Sequence, residues 1–325
     1  MTATLPAEKA LNFEHAAPRP LARSIVGKLA SDLTTRIGLV LVTLFLVMAA
    51  VGPRLAPRDP REVTTDRLVG PSADHLLGTD GLGRDLFSRL LHGARLTLGT
   101  ALLAALLVTA IGLVVGIVSG YVGGVIDTLL MRVVDMVLAI PGLVLALAVA
   151  GLFRPSLVAV MLGLVTIWWA GYARVVRGLV LTLRSRPFVE AAHAVGASRL
   201  RILVRHILPS VVSPVIVLAT LDVGQLVLVI SGLTFLGLGA PPPTPEWGAM
   251  LNDGRVYFLS DPQVVLIPGV AISLAVLGFN LLGDGIRDAL DPRLHRSRGS
   301  SQRRRPARQP GGGPGRFEIR TPEER

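Results

Sequence analysis

Apolar residues along this chain gather in long unbroken runs and do not alternate. About 20 mostly apolar residues are needed for a helix to cross the hydrocarbon core of a bilayer. Six stretches meet that length: Ile37 to Leu55, a run within Leu96 to Ile126, Met136 to Phe153, Pro155 to Ala173, Ser210 to Gly232, and Val264 to Gly283. The second carries no charge at all, and the fifth is interrupted by Asp222. Only helices and closed barrels satisfy every backbone polar group in lipid, and runs of this length read as helices. The expected fold is an all-α integral membrane protein with six transmembrane helices. The first span is a poor signal peptide, because it begins after 36 residues and ends without a small-x-small site.

Three polar segments punctuate the runs. Residues 53 to 95 form a charged outer loop, with seven arginines against six acids (Asp59, Glu62, Asp66, Asp74, Asp80, Asp85). Residues 174 to 209 hold seven arginines and a single acid, Glu190. Residues 291 to 325 form a tail of Arg, Pro and Gly, with little to bury, and are expected to be disordered. The chain is thus divided into an N-terminal segment 1–36, a first span with outer loop 37–95, a transmembrane domain 96–290 containing the loop 174–209, and the tail 291–325. With the N-terminus inside, 24 Lys and Arg residues fall in inner segments and 9 in outer ones, which places both termini in the cytoplasm. Trp168, Trp169 and Tyr172 then lie at the cytoplasmic end of span four, where amphipathic rings favour the interface. The basic tail suits a solvated segment beside anionic headgroups better than a nucleic-acid site.

Composition agrees. Of 325 residues, 51% are hydrophobic and 17% charged, where a soluble domain carries about 25% charged residues. Mean hydropathy is +0.59. The formal charge of +11 comes from 31 arginines and two lysines. The absence of cysteine excludes disulfides, thiolate metal sites and a cysteine nucleophile. No nucleotide loop is present: the one Gly-Lys pair, Gly27-Lys28, is followed by Leu29 and has Ala22 where the first glycine belongs. Gly81-Leu82-Gly83 has Leu86 in place of the third dinucleotide-binding glycine, and the six histidines lack ligand spacing. No catalytic residue, metal or cofactor is expected, which leaves an enzyme with its own active site disfavoured.

Two patterns carry more meaning. Gly112, Gly116, Gly120 and Gly124 recur every four residues and read as a seam for close helix packing, within one subunit or between two. In the loop 174–209, Phe188, Ala191, Ala192 and Val195 recur at helical spacing, and Gly196 can end that helix with a positive φ. Ser198 can cap a second helix with Leu200, Leu203, Val204 and Ile207 on one side, before Pro209 opens span five. This helix-turn-helix is either a knob for a partner or an amphipathic element resting on lipid.

The run Glu190-Ala191-Ala192, then Gly196, then His206-Ile207-Leu208-Pro209 resembles the EAA loop of binding-protein-dependent ABC importer permeases. Three further segments are similar to the C-type subunit of the dipeptide/oligopeptide/nickel group. They are His75-Leu76-Leu77-Gly78-Thr79-Asp80 with Gly83-Arg84-Asp85 and Ser88-Arg89; Phe235-Leu236-Gly237-Leu238-Gly239 followed by Pro242 to Gly248; and Asn280 to Gly285 closing at Asp291-Pro292. The resemblance spans residues 20 to 293. It implies a type I ABC importer transmembrane domain in a bacterial inner membrane. It also implies a heterodimeric partner permease, two cytoplasmic ATP-binding subunits, and an extracytoplasmic solute-binding protein delivering peptides or similar small solutes. The loop's first helix would dock on the ATPase through Phe188, Glu190, Ala191, Ala192 and Gly196, with Arg199 beside it. The chain departs from the group at Ile230, where an acid is usual. Asp222, eight residues earlier, and Gln225 are the candidates for facing the pathway. Pro141 should bend span three, and Asp135 should favour that helix's N-terminus. The alternatives are a nickel or other non-peptide permease, an ion-gradient-driven secondary transporter, and a scaffold. A secondary transporter would need more intramembrane ionisable groups than Asp222.

Overall fold

The computed structural model describes residues 32–290. The expectations for residues 1–31 and for the tail 291–325 lie outside the described residues. Apart from one isolated bridge between Thr79 and Asp85, all regular structure among them is helical. In chain order the helices are α1 (Leu33–Leu55), α2 (Leu86–Val122), α3 (Gly124–Ala139), α4 (Gly142–Gly151), α5 (Leu157–Arg184), α6 (Pro187–Ala194) and α7 (Arg199–Ile202). They continue with α8 (Leu208–Phe235), α9 (Trp247–Gly254) and α10 (Gln263–Leu290). Five helical stretches are long and apolar enough to cross a membrane, and α3 with α4 makes a sixth if that pair, bent by 88°, is one span.

The boundaries move from those expected, for local reasons. Helix α2 starts ten residues before the charge-free run, because the Asp85 carboxylate accepts the Ser88 N–H at 2.8 Å and caps it there. At 37 residues it is about 55 Å long, so it stands well clear of a ~30 Å hydrocarbon core. It stops at Gly123, whose φ is 74°, and Gly124 at φ 62° begins α3 at once. Span three is two helices. Pro141 lacks an N–H and forces Ile140 into an extended conformation (φ −94°, ψ 135°), so the expected bend is a full break. Asp135 therefore sits near the end of α3, not at a helix start, and pairs with Arg174 at 2.5 Å. Helix α5 continues to Arg184, so residues 174–184 of the expected loop are its last turns.

The centre of the bundle is the contact between α2 and α5. A Cβ on Gly112 would lie 2.9 Å from the carbonyl oxygen of Trp169, one on Gly116 2.6 Å from that of Ala173, and one on Gly120 3.0 Å from that of Arg177. Three α5 carbonyls, four residues apart, thus rest on three α2 glycines four residues apart. This is the close backbone approach that small residues permit in lipid. Gly124 does not share the seam, because it has left α2 and a Cβ there would meet nothing within 4 Å. Polar contacts bind α2, α3 and α5 together at the same end. Arg177 forks onto Asp127 with both N···O distances at 2.6 Å, Ser119 joins Asp127, and Arg184 donates to the Gly120 carbonyl at 2.9 Å.

At the opposite end, the long connection from α1 to α2 is folded onto α9. Arg84 and Arg89 are almost wholly buried, at 2% and 1% exposure. Arg84 binds Asp80 at 2.6 Å and Asp253 at 2.8 Å, and Arg89 reaches Asp253 at 3.4 Å and the Pro60 carbonyl at 3.3 Å. Two cations facing two carboxylates offset a desolvation cost that neither sign could bear alone. His75 closes on Asp85 at 3.0 Å. Trp247, fully buried, donates its indole N–H to the Leu90 carbonyl and meets Phe45 of α1 edge-on at 5.8 Å between ring centres. Glu246 caps α9 by accepting the Ala249 N–H at 2.9 Å, and also accepts the Thr97 hydroxyl at 2.8 Å. Burial holds its carboxyl above the ordinary 4.5, against the pull of those donors.

Three outcomes are expected. Gly116→Leu drives a side chain into the Ala173 carbonyl and should destabilise the chain by about 1–3 kcal/mol in detergent melts. Gly171→Ala, where a Cβ meets nothing within 4 Å, should not destabilise. The folded chain holds the Glu246 proton more tightly than the unfolded chain does. Its contribution is therefore complete below 4.5 and is lost as pH rises through the folded value. Melts of Glu246→Gln taken upward from pH 4.5 should decline less with rising pH than those of the parent.

Candidate functional site

The segment after α5 is an elbow. Arg186 is extended, and Pro187 at the first position of α6 fits its fixed φ to the helix start. The exit of α6 is a Schellman turn: the Ala197 N–H reaches the Ala192 carbonyl at 3.0 Å and the Gly196 N–H reaches that of His193 at 3.0 Å, with Gly196 at φ 79°. Ser198 then accepts the Arg201 N–H at 3.3 Å and starts α7. Helix-turn-helix is what the spacing predicts, but the second helix is not a separate surface piece. From Leu203 to Ile207 the chain makes a π turn, the Leu208 N–H reaching back to the Leu203 carbonyl, and it runs without a break into α8. Pro209 explains the wider turn, since it has no N–H to donate and its ring crowds the preceding turn. The register shifts as a result. Ile202 and Ile207 are fully buried while Leu200 and Val204 are exposed, so the four apolar residues expected on one side are split.

The elbow has a fastened face and a free one. Val189, Ile202 and Ile207 pack with Val176 and Val180 of α5. The Tyr121 hydroxyl at the end of α2 donates to the Arg199 carbonyl at 2.6 Å, and the Arg184 guanidinium lies 5.9 Å from the Tyr121 ring centre. On the free side Glu190, Ala191, Gly196 and Arg199 are exposed, Ala192 is half-buried, and Phe188 is 46% exposed with its ring 6.4 Å from that of His206. Val195 and Leu200, at 83% and 70% exposure, extend this apolar surface between arginines. Apolar area of this kind is what a protein partner or the lipid interface would cover.

The two pathway candidates differ. Asp222 is held by the Tyr172 hydroxyl at 2.6 Å, whereas Gln225, three residues on, is exposed. Ile230 is fully buried. Tyr172 is 6% exposed and lies twelve residues before the end of α5, so it is a buried partner of Asp222 and not an interfacial ring. Sequence reasoning missed this pair, and it missed the Arg84–Asp80–Arg89–Asp253 cluster. The signal for the cluster was present in the tight spacing of both signs in residues 80–89, but Asp253 is 164 residues from Arg89 and no spacing could supply it. Among the described residues no three His, Asp or Glu side chains converge as a metal site requires.

Residues 112–296 match the family described as "Binding-protein-dependent transport system inner membrane component". The chain is 43% identical over 259 residues to the dipeptide transport system permease protein DppC of Alkalihalophilus pseudofirmus, covering 79% of this chain and 85% of that one. It is 42% identical over 267 residues to the nickel transport system permease protein NikC of Escherichia coli K12, covering 82% and 96%. It is 46% identical over 255 residues to the glutathione transport system permease protein GsiD of Shigella flexneri, covering 78% and 84%. With its helical spans and its elbow, the chain belongs to the binding-protein-dependent transport inner membrane component family, as a multi-pass permease subunit of an ATP-binding cassette importer.

Proposed function

We propose that this permease forms, with a second permease, the membrane route for peptides or similar small solutes handed over by an extracytoplasmic binding protein. Two separate cytoplasmic subunits hydrolyse ATP and drive the elbow. The Lys and Arg asymmetry supports an elbow in the cytoplasm with both termini. The observation that carries the reading is the two-faced elbow: Val189, Ile202 and Ile207 tie it to the bundle, while Phe188, Glu190, Ala191, Val195 and Leu200 stay open. A groove on the ATPase would take α6, with the Gly196 turn as its edge. Closure of the ATPase pair on nucleotide would draw the elbows together and bias the spans between inward-open and outward-open states. Relatives 42–46% identical to this chain are named for dipeptide, nickel and glutathione transport. The binding protein therefore does much of the selection of cargo. Asp222 and Gln225 are the side chains assigned to the route, Gln225 in direct contact and Asp222 through its bond to Tyr172.

Glu190→Lys and Gly196→Trp should insert normally yet lower ATP-dependent uptake on the order of tenfold, the loss typical of an interface anchor. Unchanged uptake in both variants refutes the docking assignment. Because the chain has no native cysteine, Ala191→Cys should cross-link to a single cysteine in the ATPase groove. A scan of residues 188–198 without any cross-linked product would remove contact from the mechanism.

A further inference from the structure

Unpaired positive charge and apolar surface meet in one crevice where α1 ends and α2 begins. A cleft of about 860 Å³ is lined by Arg58, Arg61, His92 and Arg95, with Asp59 as the one acid. Among the described residues, none of these three arginine side chains makes an ion pair or a hydrogen bond, unlike the saturated Arg84 and Arg89 nearby. His92 is engaged with the Ser88 carbonyl at 2.9 Å, and an Asp59 oxygen accepts the Arg61 backbone N–H at 2.8 Å. The side-chain charge left over in the cleft is positive.

From Arg95 and Leu96, which line both, the cleft continues into an apolar groove of about 280 Å³ between α2 and α5. Leu103, Val158 and Met161 form its walls, and Gly99 leaves it open, since a Cβ there would meet nothing within 4 Å. Depth follows from the sequence. Arg95 is the last charge before the charge-free run from Leu96 to Ile126, so it marks the boundary of the hydrocarbon. Leu103, eight residues further along α2, lies about 12 Å deeper. A cationic head at the water boundary that leads into an apolar slot in the hydrocarbon matches an amphiphile with an anionic head.

We infer that the crevice binds an anionic phospholipid, its phosphate between Arg58, Arg61 and Arg95 and one acyl chain in the α2–α5 groove. Arginine forks suit phosphate oxygens, and the low-dielectric boundary strengthens the attraction. The acidic surface of a soluble protein would satisfy the arginines but leave the groove empty. A helix from another subunit would fill the groove but leave the arginines unpaired. The site is independent of the coupling role of the elbow.

The test uses the full-length chain in detergent with equal amounts of phosphatidylglycerol and phosphatidylcholine of matched acyl chains, with retained lipid counted by native mass spectrometry. The parent should hold phosphatidylglycerol preferentially, on the order of tenfold, and R58Q/R61Q/R95Q should lose that preference while melting like the parent. Gly99→Trp should reduce retention of both lipids by blocking the groove. An undiminished preference in the triple variant overturns the proposal. Displacement of the lipid by inorganic phosphate alone at millimolar concentration also overturns it, since the site would then be one for free anions. The third contrary result is no lipid preference, with Gly99→Cys shielded from maleimide only when the solute-binding protein is added, which assigns the surface to that protein.

Discussion

Everything in this fold hangs on the backbone contact between α2 and α5. In lipid there is no hydrophobic drive to bring one apolar helix against another, so association depends on how closely atoms pack. The carbonyls of Trp169, Ala173 and Arg177 sit where side chains on Gly112, Gly116 and Gly120 would otherwise stand. That contact sets the rotation of α5 about α2, and both ends of the molecule inherit it. One end of α2 carries Leu90 and Thr97, which hold Trp247 and Glu246. The other end carries Tyr121, which holds Arg199 of the elbow.

Arginine dominates the charged residues, and burial sorts its uses. Arg84 and Arg89 are enclosed and fully answered by Asp80, Asp253 and backbone carbonyls, so they hold the α1–α2 connection onto α9. Arg177 is partly covered and bidentate on Asp127, so it fastens α3 to α5. Removing one partner from the enclosed cluster would strand a buried charge, whereas the half-covered pair keeps recourse to water. Arg58, Arg61 and Arg95, by contrast, have no side-chain partner among the described residues.

The hydropathy runs revealed the helical class and five of the six expected spans, with the sixth falling on the bent α3–α4 pair, because the bilayer imposes one length and one way of satisfying the backbone. They did not reveal where helices begin and end. Asp85 and Gly123 govern α2 through a side-chain cap and a positive φ, which act over one turn and are invisible to a 20-residue window. Four glycines in register suggested a seam. Three are in it, and the fourth left because Gly123 ends the helix one residue earlier. The elbow was legible in outline from Gly196 and Ser198. Its second limb was not, since Pro209 converts what reads as a fresh helix start into a π turn within a continuous rod. Long-range pairs such as Tyr172–Asp222 lay beyond reach because no local pattern encodes a partner 50 residues away.

That π turn has a mechanical meaning. There is no swivel between the second limb of the elbow and α8: the backbone hydrogen bonding passes through Leu203–Ile207 with its pitch changed but unbroken. The first limb, by contrast, joins the second through the single glycine at φ 79°. A displacement of α6 relative to the rod from Arg199 to Phe235 is taken up at that one joint, while the Ser185–Arg186 link and Val189 carry it to α5 as well. Asp222 lies on the same rod and is bonded to Tyr172 of α5, so a rotation of the rod would be felt first at that bond.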